Sequence, residues 1–169
     1  YAITPSGYTA GNYSISYTGG TLTINKAPLT VTAQSVTKTY DGLTSSVTTP
    51  TITSGSLVGG DSAVLTQSFG TAGAGTGKTL TPNAVITDGN SGNNYEVTYV
   101  NNTSGEISKA ALTVTASDAT KTYDKVAYSG GNGVAYEGFV NGETAAVLGG
   151  AITYGGSSQG ATAEGFYDI

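Results

Sequence analysis

Three groups of residues in this sequence have types and spacings that could do chemistry. The first is the segment Ala72 to Thr79, which fits a relaxed phosphate-loop pattern ending in Gly-Lys-Thr. Such a loop would cradle phosphate with backbone N–H groups, place Lys78 on the terminal phosphates and hold Mg²⁺ through Thr79, between a buried strand and a helix. Because Thr81-Pro82-Asn83 follows at once, no helix can form there. The sequence therefore predicts a hairpin loop.

The second group consists of oxygen-bearing side chains that are candidate Ca²⁺ ligands, namely Asp88, Asn90, Asn93 and, close by, Glu96. Carboxylate and amide oxygens are the ligands that Ca²⁺ takes in exported repeat proteins, although a twelve-residue loop ending in a bidentate Glu is not present. Asp61 and Glu143 occupy equivalent turns and are alternative candidates. The same residue types also fill turns because their side chains bond the local backbone. Both interpretations stay open, and no other cofactor is predicted.

The third group is the pair Tyr40-Asp41, which recurs as Tyr123-Asp124. Recurrence makes the pair look like a site, but an inward tyrosine also buries a large ring while its hydroxyl reaches a backbone group. We favour the structural interpretation. Exposed tyrosines could instead stack on sugars, and the candidates for that role are Tyr8, Tyr128, Tyr136 and Tyr154.

Composition argues against several classes of function. The chain has no His and no Cys, the residues that acid–base and nucleophilic catalysis most often use, so an enzyme is not expected. The net charge is −5 and every basic residue is Lys, which argues against nucleic-acid binding. No run of 18 apolar residues is present, so no membrane span is predicted. The absence of Cys is compatible with an exported bacterial protein.

The chain contains an internal repeat. The stretch Lys26 to Asp41 recurs as Lys109 to Asp124, 83 residues later and without a gap. The segment 167–169 also aligns with 1–3, which is two periods away. A match of this length at a fixed offset predicts tandem modules. We therefore divide the chain into 1–27, the C-terminal part of one repeat, 28–109, a complete repeat, and 110–169, the N-terminal part of the next.

Apolar and polar residues alternate with the period of β-strands throughout, and no helical stripe longer than a turn or two is present. The fold class is therefore predicted to be all-β, with tandem small modules of an Ig-like sandwich or β-grasp-like type in an elongated array. In 1–27 we expect Tyr13, Ile15 and Tyr17 to face a core, and Leu22 and Ile24 to begin a further strand. Later strands are predicted at 29–40, 51–53, 63–69, 80–86 and 94–99.

Six sequence blocks occur in a fixed order: KAPLTVTA, VTKTYDG, GDSAVL, GTGKTL, NYEVTY and EISK. This order resembles the YDG/MBG family of tandem repeats, which is found in very large exported bacterial proteins, including adhesins. The resemblance covers 28–109 fully and both flanks in register. It implies extracellular spacer or adhesive modules without shared catalytic residues. The sequence departs from the pattern at Lys125, where the glycine would stand, and 110–169 lacks the Gly-Thr-Gly-Lys block.

The resulting functional hypothesis is a structural spacer module of a secreted or cell-surface bacterial adhesin, stalk or fibre. The modules would stack end to end, with Pro28 stiffening the junction by fixing φ. The expected partners are neighbouring repeats or copies of the same chain. Either the parent chain continues in the same phase, or residues 1–26 of one copy complete 110–169 of the next by strand addition. The alternative from another class is a module that binds surface glycans or matrix.

Overall fold

The computed structural model describes residues 1–169, and the all-β prediction is confirmed. Its one helix is a 3₁₀ turn at Ala145–Val147, and no helix is long and apolar enough to cross a membrane. The strands are β1 Ala2–Ile3, β2 Gly20–Thr21, β3 Ala27–Thr32, β4 Thr37–Thr39, β5 Thr51–Ser54, β6 Ser62–Phe69, β7 Gly75–Thr87, β8 Tyr95–Val100, β9 Asn102–Ser108, β10 Thr113–Ala116 and β11 Val134–Glu137.

A three-stranded sheet is built around β3, in the order β5-β3-β8. On one edge β3 pairs with β5 in the antiparallel sense, with a shift in register after Thr30. On the other edge β3 pairs in parallel with β8 over six residues, from Ala27 opposite Tyr95 to Thr32 opposite Val100. The first strand of the complete repeat and a strand near its end are thus neighbours, although more than 60 residues separate them in sequence.

A four-stranded sheet has the order β4-β9-β7-β6. In it β9 pairs in parallel with β4, with Lys38 opposite Ile107, and in the antiparallel sense with β7, with Gly75 opposite the same Ile107. Ile107 is 1% exposed. A central strand with a neighbour on each edge has its backbone groups paired on both sides, which makes β9 the middle of this part of the fold.

The chain divides into two compact units. The first unit, Tyr1–Gln34, Thr48–Gln67 and Thr81–Asn101, contains a core of Leu29, Val31, Ile86 and Tyr95. The alternation of buried Leu29, Val31 and Ala33 with half-buried Thr30 and Thr32 follows the predicted pattern of β3.

The second unit consists of Ser35–Val47, Ser68–Leu80 and Asn102–Ile169. Its buried apolar side chains are Phe69, Leu80 and Ile107. The Lys38 ammonium lies 5.6 Å from the centroid of the Phe69 ring, within the range of a cation–π contact. Beyond Ser108, no large apolar side chain of this unit is fully buried.

The predicted strands between residues 28 and 109 are confirmed, with 29–40 divided into β3 and β4, but those of 1–27 are wrong. The segment 12–17 is not a strand, and Tyr13, Ile15 and Tyr17 are exposed rather than turned to a core. Residues 22–26 likewise form no strand, and only β1 and β2 pair. The equivalent β8 is a strand because β3 lies beside it, whereas 12–17 have no first strand of their own repeat within the chain.

The core of the first unit is expected to control stability. Replacing Leu29, which is fully buried, by Ala should lower the free energy of unfolding by about 3 kcal/mol, because it leaves a cavity among well-packed neighbours. Val64→Ala on β6 is the matched control, since Val64 is 65% exposed, and should change it by less than about 0.5 kcal/mol. Chemical denaturation measures both, and equal effects would contradict the assignment of the core.

Candidate functional site

The phosphate-loop-like segment forms part of a strand connection. Residues 70–74 join β6 to β7, and β7 then begins at Gly75 and continues through Thr79 as a strand. The Lys78 ammonium donates to the Thr71 hydroxyl at 2.6 Å. No helix follows, so the backbone N–H cradle that a phosphate needs is not formed. The predicted loop is confirmed for its first half, and its second half is a strand.

The Asp88 loop is organised by one carboxylate. Asp88 Oδ1 accepts hydrogen bonds from the backbone N–H groups of Asn90 and Gly92, each at 2.8 Å, and Oδ2 accepts from Asn94 N at 3.1 Å. Partial desolvation would raise the pKa of Asp88, but these three donors hold it below its ordinary value. The carboxylate thus supplies the partners that close the loop before β8.

The other predicted Ca²⁺ ligands do not converge on Asp88. The Asn90 side chain donates to the Asn94 amide oxygen, and the Asn93 side chain donates to the backbone oxygen of Asn90. Glu96 lies at an exposed position of β8. No group of three Asp, Glu, His or Cys side chains with metal-site geometry is present. The Ca²⁺ hypothesis stays a prediction.

Because three backbone N–H groups already donate to the Asp88 carboxylate, we expect thermal stability that is independent of Ca²⁺. The midpoint of a thermal melt should be the same in excess chelator and in millimolar Ca²⁺, whereas Asp88→Ala should lower it under both conditions by removing three acceptor contacts. A midpoint that rises with Ca²⁺ in the native chain but not in the Asp88→Ala variant would contradict this expectation and support a Ca²⁺ site.

Tyr95 links β8 to the turn 57–61. This residue is 4% exposed. Its hydroxyl donates to Asp61 Oδ2 at 2.6 Å and accepts from Val58 N at 2.8 Å. The hydrogen bond to Asp61, together with desolvation, raises the pKa of the Tyr95 hydroxyl. Asp61, one of the alternative Ca²⁺ candidates, is therefore the acceptor of a buried tyrosine.

The Tyr-Asp turn is held by a lysine clamp in both copies. In the first copy, Lys38 donates to Asp41 Oδ1 at 2.7 Å and to Leu43 O at 2.8 Å, while Leu43 N donates back to Asp41 Oδ1 at 2.9 Å. In the second copy, Lys121, Asp124 and Val126 repeat these three contacts. The hydrogen bond from the lysine is the main cause that lowers the pKa of each aspartate.

The Tyr40 turn contacts the turn 139–143, and both lie in the second unit. The Tyr40 hydroxyl donates to the Glu143 carboxylate in a short hydrogen bond. The expectation that this hydroxyl reaches a backbone group is therefore wrong, since an acidic side chain 103 residues later provides the acceptor. Tyr123, the equivalent residue, is 64% exposed. The sequence carries no periodic signal for this pairing, because the two residues are 103 positions apart.

The two tyrosine–carboxylate hydrogen bonds should make the protein less stable at alkaline pH. The hydrogen bond to Glu143 raises the pKa of Tyr40 above its ordinary 10.0, and Asp61 does the same for Tyr95. A raised pKa means that this contribution is complete below pH 10 and is lost as pH rises through the folded-state value. We expect the melting midpoint to fall above pH 10 in the native chain, and to fall less steeply in the Tyr40→Phe, Tyr95→Phe double variant.

Tyrosine absorbance at 295 nm provides the second measurement for these two pairs. Two of the twelve tyrosines should ionise later than the rest in the folded chain, and both late steps should disappear in the double variant. A titration in which all tyrosines ionise together would contradict the assignment.

Of the four tyrosines predicted to stack on sugars, Tyr8 and Tyr136 are exposed, whereas Tyr128 and Tyr154 are half-buried. Tyr8 is exposed, and its backbone is held by the Tyr17 hydroxyl. The Tyr136 ring lies 5.6 Å from that of Phe139 at a tilt of 44°. The Tyr154 ring covers Gly131, and Tyr128 lines a cavity with Tyr123. The glycan-binding alternative stays a prediction.

The geometry between residues 25 and 109 is that of a folded repeat, with β3 and β8 paired and Tyr95 locked onto Asp61. Residues 25–103 match the family model of the YDG domain. The chain contains a YDG-type domain. No match was found among curated proteins or among solved structures.

The partial repeat that follows the YDG-type domain leaves a cavity open. Its volume is about 740 Å³, and it lies between 116–126 on one side and Ser158 with 161–169 on the other. In the complete repeat the corresponding segments are β4 and the region of β7, and β9 fills the space between them. The cavity is thus at the place that β9 occupies in the complete repeat.

Proposed function

We propose that this chain is a structural spacer segment of a secreted or cell-surface bacterial adhesin or fibre, in which modules stack end to end. Each partial repeat is completed by the missing strands, supplied either by the chain continuing in the same phase or by a neighbouring copy, and strand addition from a neighbouring copy is the version that the experiment below tests. The observation that carries the proposal is the cavity at the place of β9. No catalytic role is part of the proposal, and the lack of His and Cys supports that choice.

Residues 20–25 have the sequence that fits this cavity. Ile24 is the equivalent of Ile107, whose partners on the flanking strands are Lys38 and Gly75. The same register applied to the partial repeat places Ile24 beside Lys121, which lines the cavity. Ile24 is 71% exposed in the single chain. Its transfer into a site where its counterpart is buried would remove most of that apolar surface from water.

A second strand position is open along β10. β10 pairs with β11 as β3 pairs with β5, but no strand follows its other edge, where β3 has β8. An unpaired edge exposes a row of N–H and C=O groups and is a template for strand addition. The segment 12–17, equivalent to β8, lies in no sheet. The chain therefore contains both an unpaired strand edge, that of β10, and a segment, 12–17, that could pair with it in another copy.

The exposed apolar side chains support the same pairing of donor and acceptor. In 1–26 the large apolar residues that face solvent are Tyr1, Ile3, Tyr8, Tyr13, Ile15, Tyr17, Leu22 and Ile24. In the partial repeat they include Val114, Tyr123, Val126, Phe166 and Tyr167. Apolar surface on this scale usually marks a protein contact. Residues 1–26 correspond to the C-terminal part of a repeat and 110–169 to the N-terminal part. Together they would make up one repeat.

The proposed location outside the cell is supported by composition and by the YDG-type domain. Charged residues make up 10% of the chain, so the surface consists largely of neutral hydrogen-bonding groups. The chain has no thiol that an oxidising environment could cross-link. The resemblance of the repeats to those of exported bacterial adhesins is the reason for proposing that class of parent protein.

Strand addition predicts a specific intermolecular disulfide. Thr30 lies opposite Thr98 in the parallel pair, so Thr113 of one copy should lie opposite Ser16 of the next. The Ser16→Cys, Thr113→Cys chain should therefore form a ladder of disulfide-linked oligomers on oxidation, because opposed strand residues lie within disulfide range. Non-reducing electrophoresis measures this ladder without background, since the chain has no native cysteine.

The matched control is Ser14→Cys, Thr113→Cys, which moves the thiol two residues, or about 6.7 Å, along the donor strand. It keeps the thiol on the same face and should cross-link far less. Thr30→Cys, Thr98→Cys should form an intrachain bond and stay monomeric, which checks the register. Monomers only, or equal ladders from the test variant and the shifted control, would overturn strand addition.

A further inference from the structure

We propose that the turn at Tyr123-Asp124-Lys125 is a docking element that binds the turn 57–61 of a second copy of this chain. In this contact the Tyr123 hydroxyl donates to the Asp61 carboxylate. The inference rests on the proposed end-to-end assembly and specifies a second, independent contact within it. The partner is the copy whose residues 1–26 complete the partial repeat, because its 28–109 then follow as the next module.

The contact already exists once inside the chain. The Tyr40 turn of the complete repeat meets the turn 139–143 of the following repeat, and the Tyr40 hydroxyl donates to Glu143. Turn 139–143 is the equivalent of turn 57–61, so Asp61 stands where Glu143 does. The next contact of the same kind along an array would join Tyr123 to the Asp61 of the following copy.

The two contacts have complementary shapes at one position. A Cβ on Gly42 would lie 2.5 Å from the Asn141 Cβ, so the first contact requires glycine in the tyrosine turn. The second tyrosine turn has Lys125 there instead. Its partner turn has Gly59 where the first has Asn141, and a Cβ on Gly59 would meet nothing within 4 Å. The second tyrosine turn thus has a side chain, Lys125, where the first has Gly42, and its partner turn has Gly59 where the first has the Asn141 side chain.

Charge and conformation fit the same pairing. Lys125 adds a positive charge to the tyrosine turn, and the partner turn carries Asp61. The lysine clamp of Asp124 holds the Tyr123 turn in the form of the Tyr40 turn, so no rearrangement is needed before docking. Lys125 has φ of 64°, which an L residue seldom adopts, and Gly42 has 78°. The turn keeps its conformation although the residue has changed.

Asp61 has room for a second hydroxyl. Tyr95 of its own repeat donates to Oδ2, and a carboxylate has two oxygens that can accept hydrogen bonds. Glu143 can also accept two hydrogen bonds. It accepts one from Tyr40 of the preceding repeat, and Tyr13, which is equivalent to Tyr95, would donate the other from an added strand. In the assembled array each acidic side chain would therefore bridge two tyrosines, one from its own repeat and one from the preceding repeat.

A compensating pair of substitutions tests this contact. Gly59→Asn reproduces the Asn141 side chain at a backbone of nearly equal φ, 56° against 52°, so the variant should fold as the native chain does. Sedimentation velocity of the full chain should show self-association weakened by about tenfold or more, because the introduced side chain would collide with Lys125 and cost the Tyr123 hydrogen bond. Lys125→Gly alone loses one surface charge and introduces no collision, so it should associate within about threefold of the native chain, and the double variant should recover that level of association.

The outcomes separate this inference from the proposed function. Association unchanged by Gly59→Asn, or not recovered in the double variant, overturns the docking contact, and a persisting Ser16–Thr113 disulfide ladder would then leave strand addition intact. A native chain that remains monomeric at all concentrations, without a ladder, overturns both. Tyr123→Phe is the matched hydroxyl deletion: it should weaken association, while Tyr99→Phe, on an exposed residue of β8 outside both proposed contacts, should not.

Discussion

The parallel pairing of β3 with β8 is the interaction on which the rest of this structure depends. It joins the first strand of a repeat to a strand more than 60 residues later, and the hydrogen-bonded ladder of six residues brings Tyr95 into one core with Leu29 and Val31. A strand without this neighbour keeps an open edge and one exposed face. Parallel pairing between distant segments costs loop-closure entropy, so it forms only when all the participating segments are present.

The partial repeat shows what that requirement means. β10 and β11 form the same antiparallel pair as β3 and β5, because those two segments are close in sequence and need no third strand. The later elements do not form, and a cavity opens where the equivalent of β9 would lie. In the proposed assembly, added strands would fill this cavity and pair with the edge of β10. In the proposed array, incomplete repeats thereby provide an assembly interface without a dedicated binding domain.

A hydrogen bond from a tyrosine hydroxyl to an acidic side chain in a turn occurs twice in the structure. Asp61 and Glu143 occupy equivalent places, but one accepts from the tyrosine of a strand and the other from the tyrosine of a turn. A carboxylate that accepts a hydrogen bond from a neutral donor binds it more strongly than a neutral acceptor does, yet places no second charge at the contact. This suits a chain with few charged residues, in which ion pairs are rare: only two lysine–aspartate bridges are present, each within one turn.

The sequence by itself determined the class of fold, the strands between 28 and 109 apart from β9 and the first part of β7, and the turns at 41–42, 57–61 and 88–93. These features depend on alternation and on local turn chemistry, which act between residues near each other in the chain. Tertiary structure decided the rest. The segments Asn12–Tyr17 and Asn94–Tyr99 have almost the same pattern, but only the second forms a strand, because β-strands are stabilised by neighbours that the local sequence does not contain. The partner of Tyr40 was hidden for the same reason, since a contact across 103 residues is set by how the chain folds back and leaves no periodic signal.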